Sequence, residues 1–261
     1  MNKAFSQALA LQGRVLWSLA LREIHGLHGR FRIGYLWQLI KTGFFVATFL
    51  MIHSLMGVPT PRALPLPIML LMGFIPWFIF SDTINRTMEA VRTNKPLLTF
   101  PQISPLDLFC SSALVVWVTE LVIMGLYFFA FHFMGVSIHF YAPITFFLAL
   151  AGLCAFSLGL GLFLAAINLY VPIMEKLVPM VLRVLFFTSG IFFSPNKVGI
   201  HYSNLLFWNP LTNFIELLRS CFVHPSPPSI IKMDMIICCS FGFLFLGLLL
   251  ERFVRAKQEA I

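Results

Sequence analysis

The feature that most constrains this chain is a series of long apolar segments separated by short polar ones. The stretch FFLALAGLCAFSLGLGLFLAAI, residues 146–167, carries no charged side chain over its whole length. An α-helix needs about 20 apolar residues to cross the hydrocarbon core of a bilayer. Hydrophobic residues make up 59% of the 261 residues and charged residues only 11%, against roughly 25% charged in soluble domains. The chain is therefore predicted to be an integral membrane protein.

Six segments have the length and composition of a membrane-spanning helix. They cover roughly residues 35–57, 66–84, 108–134, 143–168, 177–194 and 233–250, and proline or polar residues interrupt the second and the fifth. The pattern predicts an all-α membrane protein with six transmembrane helices within residues 34–250. Because six is an even number, both termini are expected on the same side of the membrane. Residues 1–261 are expected to form a single transmembrane domain.

Basic residues are distributed unequally between the two sets of connections. The connections on the side of the termini carry twelve Lys and Arg residues, and those on the opposite side carry four. Short cytoplasmic loops are enriched in Lys and Arg, so both termini are predicted to be cytoplasmic. The net charge of +8 then reflects membrane orientation and does not indicate nucleic-acid binding. The twelve are Lys3, Arg14, Arg22, Arg30, Arg32, Arg86, Arg92, Lys95, Lys176, Arg252, Arg255 and Lys257, and the four are Arg62, Lys197, Arg219 and Lys232.

The first 25 residues are predicted to form an amphipathic helix in the membrane interface. They lack the clean apolar core of a cleaved signal peptide, because Gln7, Gln12 and Arg14 interrupt it. Polar residues recur on one helical face and apolar residues on the other, with Glu23 as an exception. The polar face comprises Lys3, Gln7, Arg14, Ser18, Arg22 and His25, and the apolar face comprises Phe5, Leu9, Leu16 and Leu19. This helix and the turn after it are expected to occupy residues 1–33, and residues 251–261 are expected to form a cytoplasmic tail.

Two connections are longer than simple turns. Residues 93–109, TNKPLLTFPQISPLDLF, form a proline-rich cytoplasmic connection between the second and third spans. Residues 194–229 lie between the fifth and sixth spans on the outer side, and a helix begins there after Asn209-Pro210. That helix is apolar and too short to cross the membrane, so the sequence predicts a re-entrant outer element. Its candidate residues are Trp208, Asn209, Pro210, Glu216 and Arg219, the last two at i, i+3 spacing.

No motif for nucleotide hydrolysis or hydrolytic catalysis occurs in the sequence. It contains no GxxxxGK[ST] phosphate-binding loop, no HExxH and no GxSxG motif. The five cysteines show no CxxC spacing, and His25 and His28 have no acidic or Cys partner near them, so no metal site is expected. Lys41, Glu120 and Arg183 lie inside predicted spans and are candidates for a function, because a charge in lipid is costly. For Glu120 and Arg183 the alternative is a local partner inside the helix bundle.

Four segments, in order, resemble the membrane subunits of type-2 ABC exporters. They are LREIHGLHGRFRIGYLW (21–37), GFIPWFIFSDTINR (73–86), PIMEKLVPMVLRVLFFTSGIFF (172–193) and FWNPLTNFIELLR (207–219). The resemblance runs from about residue 20 to residue 250. Within that family the chain is most like the capsule polysaccharide export permeases of the inner membrane of Gram-negative bacteria. One departure is that Lys41-Thr42 stands where members of the family often have Glu-Pro.

The resemblance implies a transporter subunit rather than an enzyme. It implies a homodimer of six-span subunits in the bacterial inner membrane, working with two copies of a separate cytoplasmic ATPase. ATP would be bound by that partner, so no cofactor is expected on this chain. The implied substrate is a lipid-linked capsular polysaccharide that passes between the two permeases toward periplasmic and outer-membrane export proteins. The amphipathic helix and the 93–109 connection would contact the ATPase, and the candidate residues for this coupling are Arg22, Glu23, Leu97, Leu98, Phe100, Pro105 and Asp107.

The turn before the first span carries a candidate phosphate site. Arg30 and Arg32 precede the span, and Lys41 follows as a weaker third contributor. In related exporters this turn lies at the level of the lipid headgroups, where the phosphate of a lipid-linked glycan would arrive, and arginine donates paired hydrogen bonds to phosphate. The alternative is that Arg30 and Arg32 are ordinary positive-inside anchors. The other residues of the turn are Gly34, which permits a tight turn, and Tyr35 and Trp37, which also suit the membrane interface.

Two other functions stay open at this point. The same fold could export O-antigen, teichoic acid, a drug or a lipid. A membrane-embedded enzyme that processes a lipid-linked sugar is the weaker alternative, because no pair of acidic residues has catalytic spacing. A neighbouring gene for a phosphate-loop ATPase without spans of its own would favour a transporter, and turnover of a lipid-linked sugar by the purified chain alone would favour an enzyme.

Overall fold

The computed structural model describes residues 2–26, 34–56, 64–100, 103–192, 206–223 and 231–259, with the backbone alone in 2–10, 25–26, 34–35, 56 and 254–259. All regular structure in these ranges is helical, which confirms the all-α prediction. The helices are α1 (Asn2–Gly26), α2 (Gly34–Met56), α3 (Leu66–Thr93), a 3-10 helix (Lys95–Thr99), α4 (Pro105–Phe133), α5 (Pro143–Asn168), α6 (Met174–Thr188), α7 (Pro210–Ser220) and α8 (Met233–Glu259).

Five helices in the described ranges are long and apolar enough to cross a membrane. They are Leu36–Leu55, Leu66–Thr93, Pro105–Phe133, Pro143–Asn168 and Met233–Phe253, and they correspond to predicted spans one to four and six. The predicted fifth span falls on α6, which has 15 residues. At 1.5 Å per residue α6 is about 22 Å long, shorter than a hydrocarbon core of about 30 Å. The fifth predicted span, and with it a total of six membrane crossings, therefore stays a prediction.

The central helix of the bundle is α3. Its buried side chains extend from Leu66 to Ala90, and it packs against α2, α4, α5, α6 and α7. Pro76 lies in its interior, where it lacks the N–H that would complete the backbone hydrogen-bond ladder. Neighbours surround this part of α3 so completely that Pro76 is buried as well. Burial on all sides explains why α3 has no polar stripe over its first four turns.

The tightest helix crossing joins α5 to α8 through glycines. A Cβ atom added to Gly159 would collide with the backbone of Phe243 and Leu244, and one added to Gly247 would collide with the carbonyl oxygen of Gly159. Small residues let two helix backbones approach closely, which is a common way for membrane helices to associate without a hydrophobic driving force. The crossing therefore depends on glycine at both positions.

The two ends of the bundle carry different accessory helices. At the end where α3 stops and α4 begins, α1 packs against α4 and buries Leu19 and Ala20. At the opposite end, where α3 begins, α7 packs against α3 and α5. These are called the α1 end and the α7 end below. The helix α1 corresponds to the predicted amphipathic helix, and α7 to the predicted re-entrant helix.

Phenylalanine rings fill the contacts between α2, α3 and α6. The ring centroid of Phe74 lies 5.4 Å from that of Phe45 and 5.6 Å from that of Phe49. Phe192, just after α6, stacks on Phe49 at 4.2 Å, and Phe186 lies 6.1 Å from Phe45. Aromatic pairs of this kind add about 0.5–1.5 kcal/mol each beyond the area they bury. A share of the 30 phenylalanines therefore serves helix packing.

Candidate functional site

Arg219 joins three parts of the chain at the α7 end. Its guanidinium donates from Nε to the carbonyl oxygen of Met69 at 3.1 Å, and from Nη1 and Nη2 to those of Gly190 at 2.9 Å and Ile191 at 2.6 Å. Nη1 also lies 2.9 Å from Oε1 of Glu216. Burial lowers the pKa of Arg219, and the charge of Glu216 opposes that shift. Arg219 therefore ties α3 and the segment after α6 to α7.

Gly73 of α3 makes room for this contact. A Cβ atom there would lie 2.7 Å from the carbonyl oxygen of Ile191 and 2.8 Å from Nη2 of Arg219. Both distances are far below an ordinary van der Waals contact. The glycine at position 73 and the arginine at position 219 are thus parts of one arrangement, although the two lie far apart in the sequence.

The Asn209-Pro210 pair begins α7 as the sequence predicts. The side-chain oxygen of Asn209 accepts from the backbone N–H of Leu211 at 3.0 Å, and its Nδ2 donates to Oγ of Ser189 at 3.2 Å. This satisfies one of the free N–H groups at the helix start. Trp208 is exposed, and Nζ of Lys232 lies 4.1 Å from the centroid of its ring. The side chains of the predicted outer element thus hold this end of the bundle together.

A polar network lies inside the bundle between α2, α3 and α4. Nζ of Lys41 is 3.1 Å from Oδ2 of Asp82, and it also lies 3.9 Å from the ring centroid of Phe78. Nε2 of Gln38 donates to the same Asp82 oxygen at 2.8 Å and to Oε1 of Glu120 at 2.7 Å. One amide therefore links two carboxylates on neighbouring helices. We call Gln38, Lys41, Asp82 and Glu120 the intramembrane network.

Glu120 is fully buried at the centre of this network. Its second carboxylate oxygen, Oε2, has no hydrogen-bond partner among the described residues. A buried polar atom without a partner costs about 1–3 kcal/mol. The ionisable residues that the sequence indicated inside the spans were Lys41, Glu120 and Arg183. Asp82 was missed, although it falls within the predicted span 66–84. Gln38 was also missed, since a neutral amide one turn into a span gives only a weak signal.

A cleft lies beside α1 at the α1 end. It has a volume of about 680 Å³, and its lining includes Arg22, Glu23, Arg86, Asn94 and Ser112. Glu23 pairs with Nη1 of Arg86 at 3.4 Å and accepts from Oγ of Ser112 at 2.9 Å. Arg22 donates to the side-chain oxygen of Asn94. The coupling candidates Arg22 and Glu23 therefore attach α1 to the ends of α3 and α4.

The 93–109 connection presents an aromatic residue at the same end. Leu97 and Leu98 on the 3-10 helix are half-buried against the core, whereas the side chain of Phe100, directly after this helix, is 57% exposed. An exposed aromatic side chain on a short helix that is anchored by neighbouring leucines is a feature of a contact surface. Of these three coupling candidates, Phe100 is the one available to a partner.

The start of α4 has a structural role. Ser104 and Asp107 form a capping box, in which the Ser104 side chain accepts from the Asp107 N–H and Asp107 accepts from the Ser104 N–H. Pro105 occupies the first turn of α4, and Gln12 of α1 donates to Asp107. Asp107 is buried. The coupling candidates Pro105 and Asp107 thus fix where α4 begins and attach α1 to it.

Helix α6 is tied to the rest of the α1 end through Glu175. Oε2 of Glu175 lies 2.6 Å from Nη1 of Arg92, and its Oε1 accepts from Nδ2 of Asn168 at 3.3 Å. These contacts connect the start of α6 with the ends of α3 and α5. Arg183, further along α6, is exposed and has no ion pair or hydrogen bond of its side chain within the described residues.

The candidate phosphate site falls mostly outside this description. Arg30, Arg32 and the side chain of Tyr35 lie outside the described residues. Gly34 is the first residue of α2, and Trp37 on its first turn is 64% exposed. The third candidate cation, the lysine at position 41, is engaged by the intramembrane network.

Comparison with known proteins places the chain in a transporter family. Residues 14–223 match the family described as ABC-2 type transporter. The polysialic acid transport protein KpsM of Escherichia coli is 30% identical over 251 residues, which cover 94% of this chain and 93% of that protein. The capsule polysaccharide export inner-membrane protein BexB of Haemophilus influenzae is 22% identical, over 95% of this chain and 94% of BexB. The capsule polysaccharide export inner-membrane protein CtrC of Neisseria meningitidis is 24% identical, over 94% of this chain and 92% of CtrC.

These matches confirm the resemblance carried by the four sequence segments. They extend over nearly the whole length of the chain and of each relative. Each of the three relatives is named as a transport or export protein rather than an enzyme. The match with the family covers well over half of the chain, from α1 through α7. This chain belongs to the ABC-2 type transporter family.

Proposed function

We propose that this chain is the membrane permease subunit of an exporter that moves lipid-linked capsular polysaccharide across the bacterial inner membrane. The single observation that carries the proposal is the similarity to KpsM over 94% of the chain. That similarity is supported by five helices suited to cross a membrane and by matches of similar extent to BexB and CtrC. The same subunit exporting O-antigen or teichoic acid is the alternative within this fold.

The energy for export comes, in this proposal, from a separate ATPase. The sequence has no GxxxxGK[ST] loop, so nucleotide binding is assigned to a partner subunit present in two copies. The exposed Phe100 and the α1 end around Arg22 supply the contact surface for that partner. Because the ion pair of Glu23 with Arg86 attaches α1 to α3, movement of α1 would reach the central helix directly.

The orientation proposed for the chain places both termini in the cytoplasm. Twelve of the sixteen basic residues outside the spans lie on the side of the termini, as the positive-inside rule requires. In this arrangement α6 is the fifth crossing, and the α7 end faces the periplasm. Two copies of the chain form the export path between them, and periplasmic and outer-membrane export proteins receive the polymer.

The experiment that tests this proposal is complementation. An encapsulated Escherichia coli strain lacking KpsM would receive this chain together with the ATPase proposed as its partner, taken from the same organism as the chain. Surface polymer detected at the cell exterior, dependent on both genes and lost when the ATPase carries a catalytic substitution, is the expected result. Polymer that accumulates inside the cell despite a normal amount of both proteins in the membrane would contradict export of this substrate. Appearance of O-antigen in place of capsule would support the alternative.

A further inference from the structure

An acidic side chain lies at the centre of the bundle, in the middle of a candidate membrane helix. Glu120 is close to the midpoint of α4, which has 29 residues, and its side chain is fully buried. A carboxylate at this depth in a membrane needs a partner charge or water, because hydrocarbon solvates it poorly. The groups around Glu120 therefore decide whether it can carry a charge.

The charged side chains around Glu120 leave it as the acid in excess. Lys41 of α2 pairs with Asp82 of α3 at 3.1 Å, and Arg86, one turn further along α3, pairs with Glu23 of α1 at 3.4 Å. The helix α5, which also packs against α4, carries no charged residue. The part of the molecule that the structure describes thus places two cations and three acids around this position.

Lys41 is paired with Asp82 and forms no ion pair with Glu120 within the described ranges. Its Nζ also lies 3.9 Å from the ring centroid of Phe78, where the face of the ring stabilises a positive charge. The group that does contact Glu120 is the amide of Gln38, whose Nε2 donates to Oε1 at 2.7 Å. An amide donates a hydrogen bond but carries no net charge, so it does not balance a carboxylate.

The second oxygen of Glu120 has room in its bonding for a proton. Oε2 is buried and has no hydrogen-bond partner among the residues that the structure describes. A buried acid without a counter-charge binds a proton, because the neutral form is far less costly to bury. A proton on Oε2 leaves the bond from Gln38 to Oε1 intact. Of the three acids, Glu120 is also the most deeply buried, since the side chains of Asp82 and Glu23 are 25% and 21% exposed.

Glu120 and its neighbours hold a loosely packed helix in place. The helix α2 is the least buried of the five candidate membrane helices. In the described part of the chain, three groups of α2 form its hydrogen bonds to α3 and α4: Gln38, Lys41 and the carbonyl oxygen of Leu39, which accepts from Oη of Tyr127 at 2.8 Å. Ionisation of Glu120 would place two carboxylates on Gln38 with one lysine to balance them. The attachment of α2 is therefore sensitive to the charge of Glu120.

We propose that Glu120 is a proton-binding site and that its protonated form holds α2 against α3 and α4. With the proton on Oε2, the intramembrane network is electrically neutral and α2 is attached. When water reaches Glu120, the O–H bond breaks, the proton passes to water and the electron pair stays on the carboxylate. The excess negative charge then favours separation of α2 from α4. This inference goes beyond the proposed export function and does not depend on which polymer is exported.

The first test detects the proton itself. The purified full-length chain in lipid nanodiscs at neutral pH is examined by infrared spectroscopy for the carbonyl band of a protonated carboxyl group. Such a band is expected, and it should disappear in Glu120→Gln and persist in Glu89→Gln, the control at an exposed acid of α3. A spectrum without any band that depends on Glu120 would overturn the proposal.

The accumulation of Glu120→Gln in the membrane is a further readout. The glutamine keeps the shape and the neutrality of the protonated acid, so the variant is expected in the amount of the unsubstituted chain. Its failure to accumulate would count against the proposal, because a neutral group would then not suffice. The carboxyl band is also followed in the unsubstituted chain as the pH rises, and it should weaken as Glu120 releases its proton. A band that stays constant until the protein unfolds would contradict release to water.

The second test measures the attachment of α2. Thr42→Cys places a thiol at a fully buried position of α2, and Ile40→Cys places one at an exposed position of the same helix. Both are labelled with a small uncharged thiol reagent, and the unsubstituted chain measures the reaction of the native cysteines. The ratio of the rate at position 42 to that at position 40 should rise by about tenfold between about pH 6 and about pH 8, because one proton is released on separation.

The same ratio should stay constant in the Glu120→Gln background, which also controls for the direct effect of pH on the thiols. A ratio that changes equally in both backgrounds, or in neither, would overturn the link between Glu120 and α2. Because neither test requires transport, a failure here is distinct from a failure of the proposed export function.

Discussion

The ammonium nitrogen of Lys41 lies 3.1 Å from a carboxylate oxygen of Asp82, so that an ion pair joins the first two candidate membrane helices. Both side chains are 25% exposed, and Gln38 donates to the same carboxylate. Lys41 replaces the glutamate that members of the family often have at this position, and the present pairing shows where its charge is compensated. The ion pair with Asp82 therefore attaches α2 to α3.

Asp82→Asn is expected to destabilise the protein by leaving Lys41 without its counter-ion. Leaving a buried donor or acceptor without its partner costs about 1–3 kcal/mol, and more where the group is charged. Thermal unfolding of the detergent-solubilised chain, followed by size-exclusion chromatography, measures it. Lys41→Met combined with Asp82→Leu should recover most of the loss, because removal of both partners leaves no unpaired charge.

Glu89→Gln provides the matched control for this pair. Glu89 lies on the same helix two turns beyond Asp82 and is exposed. Its substitution should leave the unfolding midpoint unchanged. A Lys41→Met, Asp82→Leu variant less stable than Asp82→Asn would contradict the assignment of Lys41 and Asp82 as partners.

Arg219→Ala is expected to prevent accumulation of folded protein in the membrane. It removes a buried guanidinium that is bonded to the backbone carbonyls of Met69, Gly190 and Ile191, and it deprives the buried carboxylate of Glu216 of the positive charge of Arg219. Breaking a buried ion pair from one side costs about 3–5 kcal/mol. Arg219→Lys should recover little, because one ammonium group cannot reach the same set of acceptors.

The amount of monodisperse protein extracted from membranes measures the effect of the Arg219 variants. Arg252→Ala, which removes an exposed arginine from α8, should leave that amount unchanged. Folded Arg219→Ala protein at a normal level with impaired export would mean that Arg219 serves transport rather than the fold.

Gly247→Ala is expected to loosen the crossing of α5 and α8. The added methyl group would meet the carbonyl oxygen of Gly159 and lie 2.9 Å from Cβ of Leu162. Overpacking of this kind costs about 1–3 kcal/mol. Gly242→Ala on the same helix is the control, because a Cβ atom there has nothing within 4 Å. Thermal unfolding should separate the two variants, and equal midpoints would argue against a close glycine crossing.

Phe100→Ala is expected to weaken the contact with the ATPase and leave the fold intact. Phe100 is 57% exposed, so that its truncation removes little packing within the subunit. An aromatic residue central to a contact surface contributes about 2 kcal/mol or more, which corresponds to roughly thirtyfold in affinity. Co-purification of the ATPase and the coupling of ATP hydrolysis to export measure the loss.

Phe133→Ala is the control for Phe100→Ala, since Phe133 at the opposite end of α4 is 74% exposed and lies far from the 93–109 connection. It should bind the ATPase normally. Full retention of the ATPase by the Phe100 variant would remove this residue from the coupling surface.

The positions of the five long helices could be predicted from the sequence, because length and hydropathy alone decide whether a segment can cross a bilayer. The start of the short helix α7 was also located correctly, since Asn209-Pro210 is a strong start signal, and its re-entrant nature stays a prediction. Length and hydropathy do not decide the total number of membrane crossings in the same way, because the character of α6 is ambiguous. Pro179 and Arg183 interrupt the apolar pattern of α6, and its helix ends at Thr188, where Ser189 and Gly190 turn the chain back into the bundle.

Contacts between distant residues were beyond reach of the sequence. Nothing local to Lys41 indicates that its partner is Asp82, and nothing local to Arg219 indicates that it bonds to the backbone of Met69. The contact of Asp107 with Gln12 of α1 was also beyond the sequence, whereas the spacing of Ser104 and Asp107 at i, i+3 is a local capping signal. The role of Asp107 in coupling to the ATPase stays a prediction.

The last prediction concerns Arg30 and Arg32, the candidate phosphate ligands before α2. If they bind the phosphate of a lipid-linked glycan, each charge-assisted contact contributes about 1.5–3 kcal/mol, and its loss should weaken capture roughly tenfold or more. Exchange of both for lysine keeps the charge that orients the chain but removes the paired hydrogen bonds that only arginine donates. Arg30→Lys with Arg32→Lys should therefore reach the membrane in normal amount and orientation, yet export less polymer.

The control for this exchange is Arg14→Lys in α1, an exposed arginine outside the turn, which should export normally. Orientation is measured by labelling a cysteine at position 99 from the cytoplasm, and export by polymer at the cell surface. If the double lysine variant exports at the normal rate, the two arginines serve as topological anchors, because an anchor depends on charge and not on the geometry of the guanidinium. If it exports poorly while its orientation is preserved, the difference lies in the fork of hydrogen bonds, and phosphate is the ligand that such a fork fits at the headgroup level.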